Sequence, residues 1–201
     1  MRPGVPAAAL ARSGRLPTGP GWLFEVKWDG FRAIACTHDG LRVRSRRRWD
    51  LTSLVPELAR LPDGLMLDGE LVAWDEGRPS FARLRRRLLL GEASIPITYV
   101  IFDVLYVEGL SAMDLPYEER RALLEELDLR GPAWHVPCAF EDGEALYEVA
   151  CERGLEGVVA KRRTGRYRPG ERRWIKTRNP AYRQPEEERV PWSATRREHV
   201  H

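Results

Sequence analysis

The 201-residue chain is 43% hydrophobic and 9% aromatic, enough to fill one compact core and a composition that argues against long disorder. Its 33 Lys plus Arg against 30 Asp plus Glu leave a net charge of +3, too small a surplus to identify a nucleic-acid partner, so the distribution of charge has to decide. Residues 1–21, rich in Gly, Pro and Ala, are expected to form a partly extended segment leading into the first strand.

Short strands are predicted at Trp22–Lys27, Phe31–Cys36 and Leu41–Arg44, joined at Asp29-Gly30 and Asp39-Gly40, both strong turn signals. Leu54–Leu61 has the spacing of a short helix. Leu65–Trp74 reads as a strand that carries the charged triplet Asp68-Gly69-Glu70, and charge inside an apolar strand needs a reason. Pro79–Leu90 predicts a helix with Arg83, Arg85, Arg86 and Arg87 on a solvated face, and Ile97–Val107 a buried strand. Two amphipathic helices follow, Tyr117–Leu127 with Pro116 at its first turn and Glu144–Arg153 stopping at Gly154. Leu155–Lys161 and Trp174–Thr177 read as strands, and residues 180–201 as a polar linker or frayed end. Strands outnumber helices without alternating with them, which predicts an α+β domain with mixed, largely antiparallel sheets and flanking helices.

Several function classes fall away. Cys36, Cys138 and Cys151 lie far apart, without disulfide-scaffold or zinc spacing, and fit a reducing cytoplasm. No apolar run approaches the roughly 20 residues of a membrane span, so no membrane partner is expected. The four histidines have no ligand spacing, and neither a Walker loop nor a dinucleotide glycine motif occurs.

Lys27-Trp-Asp29-Gly30 places an amine at the end of an apolar strand and a carboxylate two residues on. Both share a side with Glu25 if the strand continues, with Arg32 approaching from the next strand. Such a lysine can attack an electrophilic phosphoryl group; taken alone, the string is more often a solvated strand-turn. Glu70 and Glu156 interrupt or precede apolar strands, and each either meets a metal or a sugar hydroxyl or simply marks a turn. Phe102 can stack on a base or fill the core. Between Lys161 and Arg178, nine Lys and Arg are accompanied by Glu171 as the only acid, with Tyr167 and Trp174 interleaved, a density that suits polyphosphate or a nucleic-acid backbone.

Taken in order, six strings resemble the covalent nucleotidyltransferase superfamily, and within it ATP-dependent DNA ligases of the bacterial end-joining type. Glu25-Val-Lys-Trp-Asp-Gly-Phe-Arg32 is similar to the nucleophile motif, Ser45-Arg-Arg-Arg-Trp-Asp-Leu-Thr52 to the arginine motif that follows it, and Leu67-Asp-Gly-Glu-Leu-Val72 to the acidic strand motif. Tyr99-Val-Ile-Phe-Asp103 resembles the aromatic motif, Glu156-Gly-Val-Val-Ala-Lys161 the second acidic motif and Trp174-Ile-Lys-Thr-Arg178 the final basic motif. Arg47 stands where the family often has Gly, and Arg178 where it commonly has a second Lys.

The resemblance implies an ATP-grasp-like covalent nucleotidyltransferase domain in which Lys27 attacks the α-phosphate of ATP and holds AMP, which then passes to a DNA 5′-phosphate for nick sealing in repair. It implies that Glu25 contacts the adenine amino group, Phe102 stacks on the ring and Glu70 holds the ribose. Arg32, Arg46 and Arg178 would bind phosphate or sugar, Glu156 would help place Mg²⁺ or Mn²⁺, and Asp29 would support the later nick chemistry. Lys176 would lie by the α-phosphate and, as a like charge, favour the free amine of Lys27. The expected plan is an extended segment over 1–21, an adenylation domain over 22–179 and a polar tail over 180–201, with no oligonucleotide-binding barrel after it. DNA sealing would then call for a partner supplying that barrel. RNA ligation or capping by the same lysine chemistry, and a non-catalytic DNA- or nucleotide-binding remnant, are the alternatives.

Overall fold

The computed structural model describes residues 4–183. Its elements run β1 (Leu10–Ser13), β2 (Trp22–Val26), β3 (Phe31–Cys36), β4 (Arg42–Ser45), β5 (Leu65–Asp75), β6 (Arg78–Pro79), α1 (Phe81–Leu89), β7 (Ile97–Val107), β8 (Leu110–Ser111), α2 (Tyr117–Glu126), β9 (Trp134–His135), α3 (Gly143–Glu152), β10 (Gly157–Arg162) and β11 (Arg172–Arg178). They build two sheets, one ordered β1-β11-β10-β2 and the other β4-β3-β5-β7-β8, with β6 on β5 and β9 on β7. The β1–β11 and β7–β9 pairs are parallel and the others antiparallel, so the architecture is the mixed α+β one expected.

Three apolar layers follow from the side-chain alternation of the strands. Leu67, Leu71, Tyr99 and Ile101 face α1 and α2 through Leu84, Leu88 and Leu124. The opposite face of that sheet, with Ile34, Met66 and Leu105, meets Trp174 of the other sheet and Tyr167 of the loop before β11. Behind the latter, Leu146 and Ala150 of α3 cover Phe24, Val158 and Ile175. Ser80 caps α1 by accepting from the Arg83 N–H, and Asp142 caps α3 by accepting from the Ala145 N–H at 3.0 Å.

One irregularity matters for the site. In the β5–β7 ladder Gly69 pairs with Ile101 and Asp68 with Asp103, which leaves Phe102 without a partner. A bulge of this kind re-aims the extra side chain, and here it turns Phe102 into the layer between the sheets.

Four local expectations are corrected. Asp29-Gly30 does not close a hairpin: β2 and β3 lie in different sheets, and Gly30 serves the crossing, where a Cβ would stand 2.2 Å from the Leu71 carbonyl oxygen. Asp39-Gly40, with φ of 57° and 92°, is the true hairpin turn, between β3 and β4. Leu54–Leu61 is not an α-helix but part of two 3₁₀ turns, Thr52–Leu54 and Pro56–Arg60, because Pro56 has no N–H with which to continue the first. Of the arginines assigned to a solvated face, Arg87 is buried and donates to both Glu57 oxygens, at 3.0 and 3.1 Å. Finally, the N-terminal segment does more than lead in: β1 adds an edge strand to β11, and Ala8 and Ala9 are buried between the sheets.

Candidate active site

A cavity of about 250 Å³ opens between the two sheets. Seven of the ten predicted site residues line it: Glu25, Lys27, Arg32, Arg46, Glu70, Phe102 and Lys176. The other three, Asp29, Glu156 and Arg178, stand outside the lining but are tied to it through Lys27. The β2 strand ends at Val26, so Lys27 and Asp29 do not share a strand face as the spacing of two implied.

Lys27 sits where β2 leaves its pairing with β10, its backbone N–H donating to the Gly157 carbonyl at 2.9 Å. Its ammonium donates to Glu156 Oε2 in a short contact, while Arg178 Nη2 lies 3.2 Å from Glu156 Oε1. Asp29 accepts from the Tyr182 hydroxyl, and burial pushes its carboxyl above the ordinary carboxylate range despite that bond and the cations of Lys27 and Arg178. Lys176 projects from β11; partial burial, with Arg178 and Lys27 as neighbouring cations, holds its ammonium below the usual lysine value. This end of the cavity therefore gathers Lys27, Lys176 and Arg46 at its wall, with Glu156 already engaged by two cations.

The other end is closed and its charges are paired within the protein. Glu25 is buried, and its carboxylate accepts from the Tyr117 hydroxyl in a short contact and from Lys161 Nζ, 3.0 Å from Oε1 and 2.8 Å from Oε2. Lys161 also donates to the Phe102 carbonyl at 3.0 Å, and its ammonium lies over the rings of Trp174, Phe102 and Tyr117 at 4.4, 4.7 and 4.7 Å. Burial lowers the Lys161 pKa from its ordinary value, with Glu25 and Asp103 opposing that shift. Behind this cluster Arg120, fully buried, makes a two-pronged pair with Asp103 at 2.7 and 3.0 Å.

Arg32 forms the roof between the two ends. It grips Asp68 through Nε and Nη2 at 2.5 and 2.6 Å and lies 4.5 Å over the Phe102 ring. Burial works against its charge, but Asp68 more than compensates, and the guanidinium stays firmly ionised. Tyr167 steadies the same carboxylate, donating to Asp68 Oδ2 at 2.5 Å while accepting from the Ala9 N–H at 2.9 Å. Glu70 has no such grip: desolvation holds its carboxyl up at about 8, only partly offset by Arg32 and Lys27.

A second, strongly basic groove adjoins the cavity and shares Arg172 and Trp174 with it. Six arginines line it, from β1 (Arg12), the end of β10 (Arg162), the following loop (Arg166, Arg168) and the start of β11 (Arg172, Arg173). Asp114 engages Arg168 and Arg166, and Glu171 engages Arg173. Five of the nine cations in the basic segment singled out in the sequence thus line a groove with a cationic surplus, while Lys161 and Lys176 line the cavity.

Sequence reasoning missed Asp68, Tyr117, Lys161, Tyr167 and the Arg120–Asp103 pair as members of the site. Asp68 had a signal, since a carboxylate inside an apolar strand demands a partner. Lys161 ended a matched string without a role. Tyr117 and Arg120 had none: on an amphipathic helix they read as rim and surface.

The chain belongs to the ATP-dependent DNA ligase domain family, whose model matches residues 15–178. It is 37% identical over 169 residues to the multifunctional non-homologous end joining DNA repair protein LigD of Mycobacterium tuberculosis, covering 79% of this chain and 22% of that protein. It is 34% identical to the SPbeta prophage-derived DNA ligase-like protein LigB of Bacillus subtilis, covering 80% of this chain and 62% of that one. Among solved structures, the ligase domain of M. tuberculosis LigD superposes with a TM-score of 0.77 at 34% identity, over 86% of this chain and 60% of that one. Chlorella virus DNA ligase-adenylate shares the fold, with a TM-score of 0.63 at 20% identity, over 87% of this chain and 69% of that one. The chain therefore spans about a fifth of the length of the LigD relatives it matches.

Proposed function

We propose that this chain takes AMP from ATP onto Lys27 and passes it to the 5′-phosphate of nicked or broken DNA, as the adenylation domain of an end-joining repair ligase, formed by residues 22–179 together with the segment that carries β1. The observation that carries the proposal is the convergence of all six strings on one cavity, with Lys27 Nζ at its cationic end and Phe102 and Glu25 at its closed end. In the first step the Lys27 amine attacks the α-phosphorus: an N–P bond forms, the bond to the bridging oxygen of pyrophosphate breaks, and the amine proton leaves to solvent. Lys176, Arg46 and Arg32 stand where negative charge grows on the phosphate oxygens. In the second step a DNA phosphate oxygen displaces Lys27 from the phosphorus, and Asp29, held by Tyr182 beside the nucleophile, supports the nick chemistry.

A divalent cation fits the residues present. Among the described residues no cluster of three or more His, Cys, Asp or Glu encloses a metal. Mg²⁺, however, is ordinarily held by one or two carboxylates with nucleotide phosphates completing its shell, and Glu156, within electrostatic reach of Asp29 and Glu70, is such a donor. Bound there, Mg²⁺ or Mn²⁺ would neutralise phosphate charge.

The arginine groove supports DNA as the acceptor, because it continues from the cavity and suits a phosphodiester backbone. A cytoplasmic setting belongs to the same proposal and is supported by the three free cysteines. Among the described residues no helix is long and apolar enough to cross a membrane. The test is incubation with ATP, Mg²⁺ and 5′-labelled nicked duplex, with and without an oligonucleotide-binding barrel supplied in trans. Adenylated or sealed DNA on a denaturing gel is the expected result. A chain that never transfers AMP to DNA in either arm contradicts the DNA part of the proposal.

A further inference from the structure

The closed end of the cavity contains more hydrogen-bonding machinery than holding a purine requires. A carboxylate offers about four lone-pair sites. On Glu25 two are used, both on Oε1, which accepts from the Tyr117 hydroxyl and from Lys161, while Oε2 lies 2.8 Å from the same ammonium as its ion-pair partner. Oε2 keeps acceptor capacity, and Glu25 lines the cavity. Lys161 is committed as well, donating to Glu25 Oε1 and to the carbonyl of Phe102. Its ammonium borders the same space and lies over the rings of Trp174, Phe102 and Tyr117.

We infer that Tyr117 and Lys161 are positioning residues that select a 6-aminopurine over a 6-oxopurine, by holding the Glu25 carboxylate as an acceptor facing the cavity while Lys161 fixes the Phe102 wall. The inference rests on the proposed nucleotide reading of this cavity and adds what enforces the choice of base. A carboxylate that already takes donors from Tyr117 and Lys161 meets the base as an acceptor. It pairs with the 6-amino group of adenine and opposes the 6-oxo oxygen of guanine or hypoxanthine, because a site built for one hydrogen-bond polarity leaves the wrong partner desolvated and unpaired. Tyr117 keeps the proton it donates, since burial and the Glu25 charge hold its hydroxyl well above the usual phenol range. The Lys161 bond to the Phe102 carbonyl links the two contacts, so the bulge that aims the ring and the carboxylate that reads the edge share one ammonium.

The test measures Lys27 adduct formation, and separately equilibrium binding, with ATP, GTP and inosine triphosphate. The last carries the 6-oxo group without the 2-amino group. Tyr117→Phe removes one donor and keeps the ring; it is expected to raise KM for ATP and lower the ATP-to-GTP preference about tenfold, with kcat little changed. Glu25→Gln is expected to favour inosine triphosphate, because Tyr117 and Lys161 would claim the amide oxygen and leave the amide N–H₂ facing the base. Lys161→Met is expected to weaken ATP further, and if it does not fold, Tyr117→Phe and Glu25→Gln carry the test. Folded variants that keep the parent's nucleotide preference overturn the inference, as does a parent chain that binds ATP and GTP equally. A parent that binds ATP selectively yet forms no adduct contradicts the catalytic proposal and leaves the selection mechanism supported.

Discussion

The two ends of the inter-sheet cavity handle charge in opposite ways. At the closed end every charge has its complement within the protein: Glu25 with Lys161 and Tyr117, Asp103 with Arg120. At the open end cations outnumber their partners, and Glu156 already serves both Lys27 and Arg178. A buried, fully paired network is rigid and reads shape and polarity. A cationic wall short of anions is completed only when phosphate arrives, so its stabilising energy is reserved for the reacting group. The same cavity thus separates recognition from chemistry, and each end can be damaged without the other.

The sharpest cut at the open end is Lys27→Ala. Adduct formation from ATP should fall more than about a thousandfold, while nucleotide binding, followed by calorimetry, should change little because the closed end is untouched. At the closed end Arg120→Met leaves Asp103 buried and unpaired, and such losses run to about 3–5 kcal/mol; urea unfolding should show a lowered midpoint.

A subtler separation uses pH. The Glu70 carboxyl is raised to about 8 by desolvation, so the folded state holds that proton more tightly than the unfolded chain. Its contribution to stability is complete below about 4.5, the ordinary glutamate value, and is lost as pH rises towards 8. Glu70→Gln should therefore gain on the parent in thermal stability as pH goes from 5 to 8.5; parallel profiles would show that Glu70 is not desolvated as described. The smallest effect is expected outside the cavity. Replacing Arg12, Arg162 and Arg168 by Ala should lower the salt dependence of DNA binding by about one unit of log–log slope for each lost phosphate contact, with the ATP adduct still forming.

Much of this was legible in the sequence because the nucleophile and its neighbours lie in short strings whose spacing survives folding. Ile97–Val107 was predicted with its observed bounds, and seven of ten proposed site residues meet at one cavity. What escaped was the support. Asp29-Gly30 carries a hairpin signal, yet the chain there crosses from one sheet to the other, because β2 finds its partner in β10 some 130 residues later. Tyr117 and Arg120 lie on a helix whose periodicity reveals only an apolar side; that two of its polar residues point inward depends on Glu25 and Asp103, which are distant in sequence. The segment before Trp22 lacks any period, and its strand exists only because the edge of β11 is there to pair with. Local pattern encodes elements and motifs, whereas the pairing of buried charges is a property of the assembled sheets.

The most direct measurement is the intact mass of the chain after incubation with ATP and Mg²⁺, beside the Lys27→Ala variant. The account predicts a gain of one AMP on the parent, none on the variant, and no comparable adduct with GTP. An unmodified parent, or an adduct of equal yield on Lys27→Ala, would contradict it.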